Sequence, residues 1–396
     1  MSAQARPEAG PSDLVAVALP QGPAAAAAVA DLWRDGAAVF PVDGRLPRPA
    51  LDRVMERLGP SHVLDADGLR RVADGPAVSE DIGVVVATSG TEGEPRLVEL
   101  PRAAITAAVE GSLAAIGAGP DASWLCALPI AHIGGLLVVL RAAITGASVE
   151  VHGRFDVEAI GASHARSVAF VPTQLRRLLE AGTDLARFDA ILVGGADLDA
   201  GLRAAAEGRG ARIVHTYGMT ETCGGVVYDG VPFPDVDVVV RDDGRIVVGG
   251  PTIFRRYRAD ADATAAAFDD AGRFVTSDLG RIADDGRLEV LGRADDAIAT
   301  GGETVMPLAV ERVLAAHPAV DEVAVVGRPD AEWGQRVVAV VVPAPGGAPP
   351  TLDDLRAHAR ATLPAWAAPR ELVIVASLPR TISGKVRRAE VRALLG

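Results

Sequence analysis

The sequence predicts an α/β chain of at least two domains. Three observations carry this. Strand-like apolar runs alternate with helix-like segments from Leu14 to Leu64, the order expected where helices layer onto a sheet. Apolar runs such as 82–87 and 191–193 end in glycine-containing turns, as buried parallel strands do. At 396 residues the chain also exceeds what a single hydrophobic core usually organises.

Composition narrows the function. Hydrophobic residues make up 49% and mean hydropathy is +0.24, so the chain is globular rather than disordered. Aromatics are only 4%, too few for base-stacking platforms on single strands. The net charge of −13 lacks the basic footprint of a nucleic-acid binder and is repelled by anionic lipid. An anionic substrate must then be met by a few well-placed Arg and Lys. The two cysteines, Cys126 and Cys223, have neither a Cys-x-x-Cys nor a Cys/His metal spacing; a reducing compartment fits them. Residues 1–13 lack the basic and apolar regions of a signal peptide. The apolar run 133–144 is interrupted by Arg141 and is too short to span a bilayer. A cytoplasmic protein without membrane insertion is expected.

Residues 1–12 read as a loose tail. A strand over 14–19 is broken by Pro20 and Pro23. A helix follows over 24–34, then a short strand over 37–41 with a turn at Asp43-Gly44. A helix over 51–58 and a strand over 61–64 complete the opening alternation. The strand over 82–87 runs into Thr88-Ser89-Gly90-Thr91-Glu92-Gly93-Glu94-Pro95-Arg96. Glycines let successive N–H groups turn inward, the hydroxyls add donors, and Arg96 adds a fixed charge; together they make an anion cradle, most naturally for phosphates. It is not a Walker A loop, since only Thr91 and Glu92 separate Gly90 from Gly93. Read alone, the loop is equally a polar strand-to-helix turn.

This loop resembles the phosphate loop of the adenylate-forming superfamily, which includes acyl-CoA synthetases, luciferases and adenylation domains. Arg96 stands where most members have Lys. The resemblance implies a large N-terminal domain of layered sheets and helices, here with a trimmed first subdomain, and a small mobile C-terminal α/β domain. Further motifs follow in the superfamily's order. A helix over 101–116 and a strand over 124–128 lead to Pro129-Ile130-Ala131-His132-Ile133-Gly134-Gly135, similar to Pro-x-x-His-x-x-Gly. A lone His in apolar surroundings is more often structural, but the resemblance implies that His132 and Gly134 border the acyl pocket. Arg141 is costly to bury without an anion. It either reaches the surface or meets a second carboxylate on the substrate.

Strands are expected over 148–151, 167–171 and 190–193, with a helix over 173–181. In the superfamily the turn Gly194-Gly195-Ala196 lies against adenine; read alone it is an ordinary turn. A strand over 211–215 precedes Thr216-Tyr217-Gly218-Met219-Thr220-Glu221-Thr222, similar to Tyr-Gly-x-Thr-Glu. In that setting Tyr217 can stack on a purine and Thr220 can donate to a carboxylate or the α-phosphate. Glu221 can help hold Mg²⁺, a cation that prefers oxygen ligands. Asp243-Gly244-Arg245 and Asp284-Asp285-Gly286 mark hairpins. Thr276-Ser277-Asp278 resembles Thr-Gly-Asp, with Ser for Gly; the Asp278 carboxylate suits the two ribose hydroxyls.

Gly292-Arg293-Ala294-Asp295-Asp296-Ala297-Ile298 is similar to the superfamily's hinge, followed by Thr300-Gly301-Gly302. The resemblance places an ATP- and acid-binding domain over 13–293 and the mobile domain over 294–396, pivoting near Asp295. It puts Gly301-Gly302 at the pantetheine channel. The second domain reads as helix 308–316, strands 322–327 and 336–342, helix 352–362 capped by Thr351 and Asp354, and strand 372–376. Last, Pro379-Arg380-Thr381-Ile382-Ser383-Gly384-Lys385 is similar to Pro-x-Thr-x-x-Gly-Lys, in which Lys385 is the catalytic lysine.

The implied nucleotide site comprises Thr88, Ser89, Gly90, Thr91, Gly93, Arg96, Gly194, Gly195, Ala196, Tyr217, Gly218, Met219, Thr220, Asp278, Arg293 and Lys385. Thr220, Glu221, His132 and Lys385 carry the chemistry; ATP, Mg²⁺ and CoA are the implied partners. Within the superfamily, His132 to Arg141, Thr222-Cys223-Gly224-Gly225, Val227-Tyr228-Asp229-Gly230-Val231 and the short N-terminus are most similar to the o-succinylbenzoate–CoA ligases of menaquinone biosynthesis. Their substrate is an aromatic keto-diacid. The resemblance gives Arg141 its anion and has Gly224 and Gly225 make room for a ring. Three readings stay open beside it. One is a CoA ligase for another aryl or short acyl acid. Another is a stand-alone enzyme loading a carrier protein. The third is a non-catalytic relative that binds ATP or acyl-AMP. The sequence leaves the oligomeric state open, a homodimer or higher oligomer included.

Overall fold

The computed structural model describes residues 9–72, 75–88, 95–119, 122–381 and 385–395. The chain divides into two compact units. One holds Met1–Gly195, Ala204–Val238 and Val248–Val275; the other holds Ala196–Arg203, Val239–Val247 and Thr276–Gly396.

The first unit is built on two seven-stranded sheets. In the first, Leu14–Val17 lies between Ala38–Pro41 and His62–Asp65, both parallel to it. Ile82–Thr88 joins through Ala38–Pro41, also parallel, with Val39 opposite Val84. These strands are buried on both faces, which is why they read as apolar runs rather than alternating ones. Leu14, Ala16, Phe40, Val63 and Val85 pack with Val54 and Leu58 of the helix Arg48–Leu58.

The structure changes one expectation here. The chain does not pass from the Thr88–Arg96 loop into a helix. It returns as a strand, Arg96–Pro101, antiparallel to Ile82–Thr88, with Thr88 opposite Arg96. The helix Arg102–Ile116 starts only after that strand. The loop's two ends, Thr88 and Arg96, are therefore paired across antiparallel strands. Leu97, Val98 and Leu100 are buried, and the short apolar segment carried no periodicity to separate it from the helix that follows.

Arg256–Tyr257 pairs with the outer edge of this hairpin. Glu99 is completely buried there, bonded to Arg258 at 2.9 Å and Arg256 at 2.7 Å. Arg258 also donates to the carbonyls of Leu58 and Pro76. The pair thus fastens the hairpin to the helix Arg48–Leu58. Its donors and acceptors are satisfied, the condition under which a buried ion pair is tolerated.

In the second sheet, Trp124–Cys126, Ser167–Phe170, Ala190–Val193 and Ile213–Met219 run parallel. Gly224–Tyr228 then turns back antiparallel along Ile213–Met219. The helix Ile133–Thr145 packs on this sheet and is apolar on nearly every side. Leu136, Val138, Val139, Leu140 and Arg141 are all buried, and Gly146 ends it in the left-handed region.

In the second unit, Val320–Asp330 and Gly334–Pro343 form a long antiparallel pair, with Glu371–Ile374 parallel to the latter. Alternate valines face opposite sides. Val325, Val337 and Val341 meet Val310, Leu314 and Leu355; Val326, Val338 and Val340 meet Val391 and Leu395. The second cover is the helix Arg388–Ala393, which sequence reading did not identify. Thr351 caps the helix Leu352–Arg360 in a reciprocal box with Asp354, as expected. Among the described residues, no helix is long and apolar enough to cross a membrane.

Candidate active site

Ser89, Gly90, Thr91 and Gly93 of the phosphate loop, with Glu92 and Glu94, lie outside the described residues, as do Ile382, Ser383 and Gly384 beside Lys385. The loop's two ends are placed. Thr88 Oγ1 approaches the Arg96 carbonyl at 3.5 Å, and Arg57 donates to the Pro95 carbonyl at 2.9 Å. Arg96 holds its guanidinium 5.1 Å from the centre of the Tyr257 ring.

Tyr217, Gly218 and Met219 extend the strand Ile213–Met219, past its expected end at 215. The antiparallel return of Gly224–Tyr228 explains this, for it pairs Tyr217 with Val227 and Met219 with Gly224. Thr220–Thr222 then forms one tight turn. Thr222 is buried inside it, taking the Met219 N–H and donating to the Gly224 carbonyl at 2.7 Å. Gly218 has no room for a side chain, since a Cβ would fall 1.9 Å from the Gly224 oxygen. Gly194 is similarly required, as its Cβ would meet Thr216 Oγ1 at 2.3 Å. The Gly194-Gly195 turn thus lies against the strand that carries Tyr217, and both belong to the first unit.

Glu221 is gripped at both ends by a distant segment. The Phe254 N–H donates to its carbonyl at 2.9 Å, and the Tyr257 hydroxyl donates to Oε1 at 3.0 Å. Burial, and then the Glu221 carboxylate, push the Tyr257 phenol well above its usual range, so it remains a donor. Sequence reading missed Tyr257; no motif or period links it to Glu221.

His132 stands at the N-terminus of the helix Ile133–Thr145, its N–H bonded to the Pro129 carbonyl. Gly135 is needed for that turn, because a Cβ would lie 2.4 Å from the Pro129 oxygen. The ring Nε2 is 3.0 Å from Arg45 Nη2 and 3.6 Å from Asp43 Oδ2. A guanidinium only donates, so Nε2 accepts and the ring is assigned its proton on Nδ1. Burial works to raise the Asp43 carboxyl, but its bonds to Arg45 outweigh this and hold it below its usual range. Sequence reading saw only a turn at Asp43-Gly44. The partners are 87 residues apart, beyond any local signal.

Arg141 does not reach the surface. Its residue is 3% exposed, with the guanidinium stacked 4.0 Å from the Trp124 ring and Nη2 donating to Ser112 Oγ at 3.0 Å. Ser112 in turn bonds the Tyr228 hydroxyl at 2.7 Å. Arg141 Nε and Nη1 are buried without a hydrogen-bond partner. Gly224 and Gly225 abut protein. A Cβ at Gly224 would meet Leu137 at 2.5 Å, and one at Gly225 would meet Thr216 and Tyr228 at 3.0 and 3.1 Å. Close packing therefore accounts for both glycines. Gly134 sits one turn below, 3.3 Å from Leu128 by the same measure.

The second unit carries the remaining residues. Asp278 pairs across strands with Arg293, and its N–H is fixed by Thr276 Oγ1 at 3.0 Å. Arg293 bonds Asp295 at 3.1 Å on the surface. Asp296 is tied to Arg388 at 3.1 Å and Arg392 at 3.2 Å on the C-terminal helix. Gly301 and Gly302 both have positive φ and close the hairpin of Ile298–Thr300 and Glu303–Val305. Gly301 lies against Trp333, which bonds its N–H and would clash with a Cβ at 2.8 Å. Lys385 is exposed; its loop is closed by Thr381, whose N–H meets the Lys385 carbonyl and whose Oγ1 takes the Lys385 N–H. Ala196 also belongs to this unit.

Residues 69–258 match the AMP-binding enzyme family and residues 309–385 match the AMP-binding enzyme C-terminal domain. A probable 2-succinylbenzoate–CoA ligase of Mycobacterium tuberculosis is 43% identical over 86% of this chain and 93% of its own length. A feruloyl-CoA synthase of an Amycolatopsis species is 31% identical over 98% of this chain and 89% of its own. The structure of o-succinylbenzoate–CoA synthetase from Bacillus subtilis, in complex with its acyl-adenylate intermediate, superposes with a TM-score of 0.84 at 26% identity. It covers 97% of this chain and 88% of the other.

Proposed function

We infer that this chain, which belongs to the AMP-binding enzyme family, is an ATP-dependent acid–CoA ligase that converts o-succinylbenzoate to its CoA thioester through an acyl-AMP. That chemistry would place it in menaquinone biosynthesis. The observation that carries the choice of acid is Arg141. A buried guanidinium with two unpartnered nitrogens and no carboxylate beside it in the described fold calls for an anion from outside. A diacid has one carboxylate to react and one to offer.

A carboxylate is a poor electrophile because oxide is a poor leaving group. Its attack on the α-phosphorus of ATP expels diphosphate and leaves a mixed anhydride, which a thiol then opens with loss of AMP. Both steps are matters of positioning and charge neutralisation. The Thr88–Arg96 loop would hold the β- and γ-phosphates, Gly194, Gly195 and Ala196 the adenine with Tyr217, and Asp278 the ribose hydroxyls. Thr220 would donate to the reacting oxygens. His132, whose Nε2 accepts from Arg45, would border the acyl entrance. Lys385 would bridge the attacking carboxylate and the α-phosphate. For the second step, rotation about Asp295 would withdraw Lys385 and bring Gly301-Gly302 to the thiol.

Among the described residues no group of three or more His, Cys, Asp or Glu is gathered. Glu221 would contribute a carboxylate to a nucleotide-bound Mg²⁺, a cation that accepts few protein ligands because it retains water and phosphate ligands. When bound, the ion would offset charge on the phosphates. We place the reaction in the cytoplasm, in keeping with the net charge and with two buried free thiols.

The test is acid-dependent diphosphate release, followed by thioester formation with CoA. A second reading, a ligase for a hydroxycinnamic acid, is favoured by the likeness to the feruloyl-CoA synthase. Ferulate lacks a second carboxylate, so its turnover would be indifferent to Arg141.

A further inference from the structure

We infer that Tyr257 is a positioning residue for the metal-binding carboxylate, through which the exit of the phosphate hairpin is coupled to Glu221. The inference rests on reading Glu221 as the Mg²⁺ ligand. Three contacts meet at Tyr257. Its hydroxyl donates to Glu221 Oε1 at 3.0 Å. Its ring lies under the Arg96 guanidinium, 5.1 Å from centroid to Cζ. Its backbone is the register partner of Val98, two residues beyond Arg96 on the same strand. Three residues earlier, the Phe254 N–H holds the Glu221 carbonyl.

The Glu221 carboxylate, on a flexible two-carbon stem, is thus met by a donor from a distant segment. A phenol donating to Oε1 at 3.0 Å restrains the carboxylate's orientation. Tyr257 itself is 3% exposed and packed 4.8 Å from Phe254, so the donor does not wander. Arg96 is the first residue of the strand that follows the phosphate loop. One aromatic side chain then aligns the phosphate site with the carboxylate that shares its cation.

The test uses the full chain with α,β-methylene-ATP and reads Mn²⁺ binding by electron paramagnetic resonance, independently of turnover. Tyr257→Phe removes only the hydroxyl and leaves the ring. It should weaken Mn²⁺ binding about tenfold, the scale of one hydrogen bond to a charged group. Glu221→Gln should weaken it further, and the double variant should be no weaker than Glu221→Gln alone. Placing 4-aminophenylalanine at position 257, which keeps a para donor, should restore binding; it also serves if Tyr257→Phe folds poorly. Wild-type Mn²⁺ affinity in Tyr257→Phe, with Glu221→Gln weakened, would overturn the role of Tyr257 and leave Glu221 as ligand. Additive losses would overturn it too. Wild-type affinity in Glu221→Gln would remove the premise itself.

Discussion

Replacing Arg141 with Met should separate substrate recognition from stability. The two side chains are similar in volume, so no large cavity is expected. Burying the guanidinium costs several kcal/mol of hydration. Against this stand the Trp124 stack at 4.0 Å, worth about 2 kcal/mol when desolvated, and the Ser112 bond, worth about 1.5–3 kcal/mol. Those gains roughly cancel the cost, while Nε and Nη1 remain unpaid by any partner. The ligand-free variant should therefore be as stable as wild type or more stable by about 1–2 kcal/mol. Ser112 keeps its bond to Tyr228 and is not orphaned. Binding should behave oppositely. Truncating one side of a buried charge pair costs about 2–5 kcal/mol, or at least about thirtyfold in KM for o-succinylbenzoate. Benzoate, with no second carboxylate, should be processed at an unchanged kcat/KM. The assays are diphosphate release against both acids and thermal melting without ligand. Equal loss on both acids, or a melting penalty equivalent to more than about 3 kcal/mol, would show that Arg141 supports the fold and refute its role as the anion receptor.

Lys385→Ala should abolish acyl-AMP formation while sparing thioester formation from supplied acyl-AMP, measured as separate half-reactions; equal loss in both removes the assigned role. Asp295→Pro should slow the thioester step alone, because a fixed φ opposes rotation at that position; single-turnover rates that match wild type in both steps would move the hinge elsewhere. Glu99→Gln should lower unfolding free energy by about 3–5 kcal/mol, since Arg258 is left buried and uncompensated. Pairing Glu99→Leu with Arg258→Met should recover most of that loss in denaturant titrations, and failure to recover would mean that the Leu58 and Pro76 bonds of Arg258 dominate.

Much of the architecture was legible because the parallel strands are continuous apolar runs. Leu14–Val17, Ala38–Pro41 and Ala190–Val193 fall within a few residues of their expected bounds. The Thr351–Asp354 capping box is a local signal and was read correctly. Misreadings arose where tertiary pairing decides the local state. Arg96–Pro101 becomes a strand because Ile82–Thr88 lies beside it, and Tyr217–Met219 because Gly224–Tyr228 does. The helix Arg388–Ala393 is too short to declare itself; it exists by covering Val326 and Val338. The motif residues were visible as motifs, but their supports were not. Tyr257 under Glu221 and Arg45 against His132 meet across long stretches of chain, with no spacing to betray them. Arg141 was the reverse case. One charge in an apolar helix was conspicuous, and burial removed the fate in which it reaches the surface.

The most direct measurement is diphosphate release with ATP and Mg²⁺, with and without CoA, across o-succinylbenzoate, benzoate, coumarate, ferulate and short fatty acids. Strong release with o-succinylbenzoate, followed by a CoA thioester, is the expected result. Release only with a mono-acid would keep the acyl-AMP chemistry and discard the diacid. No release with any acid would contradict the assignment of a ligase.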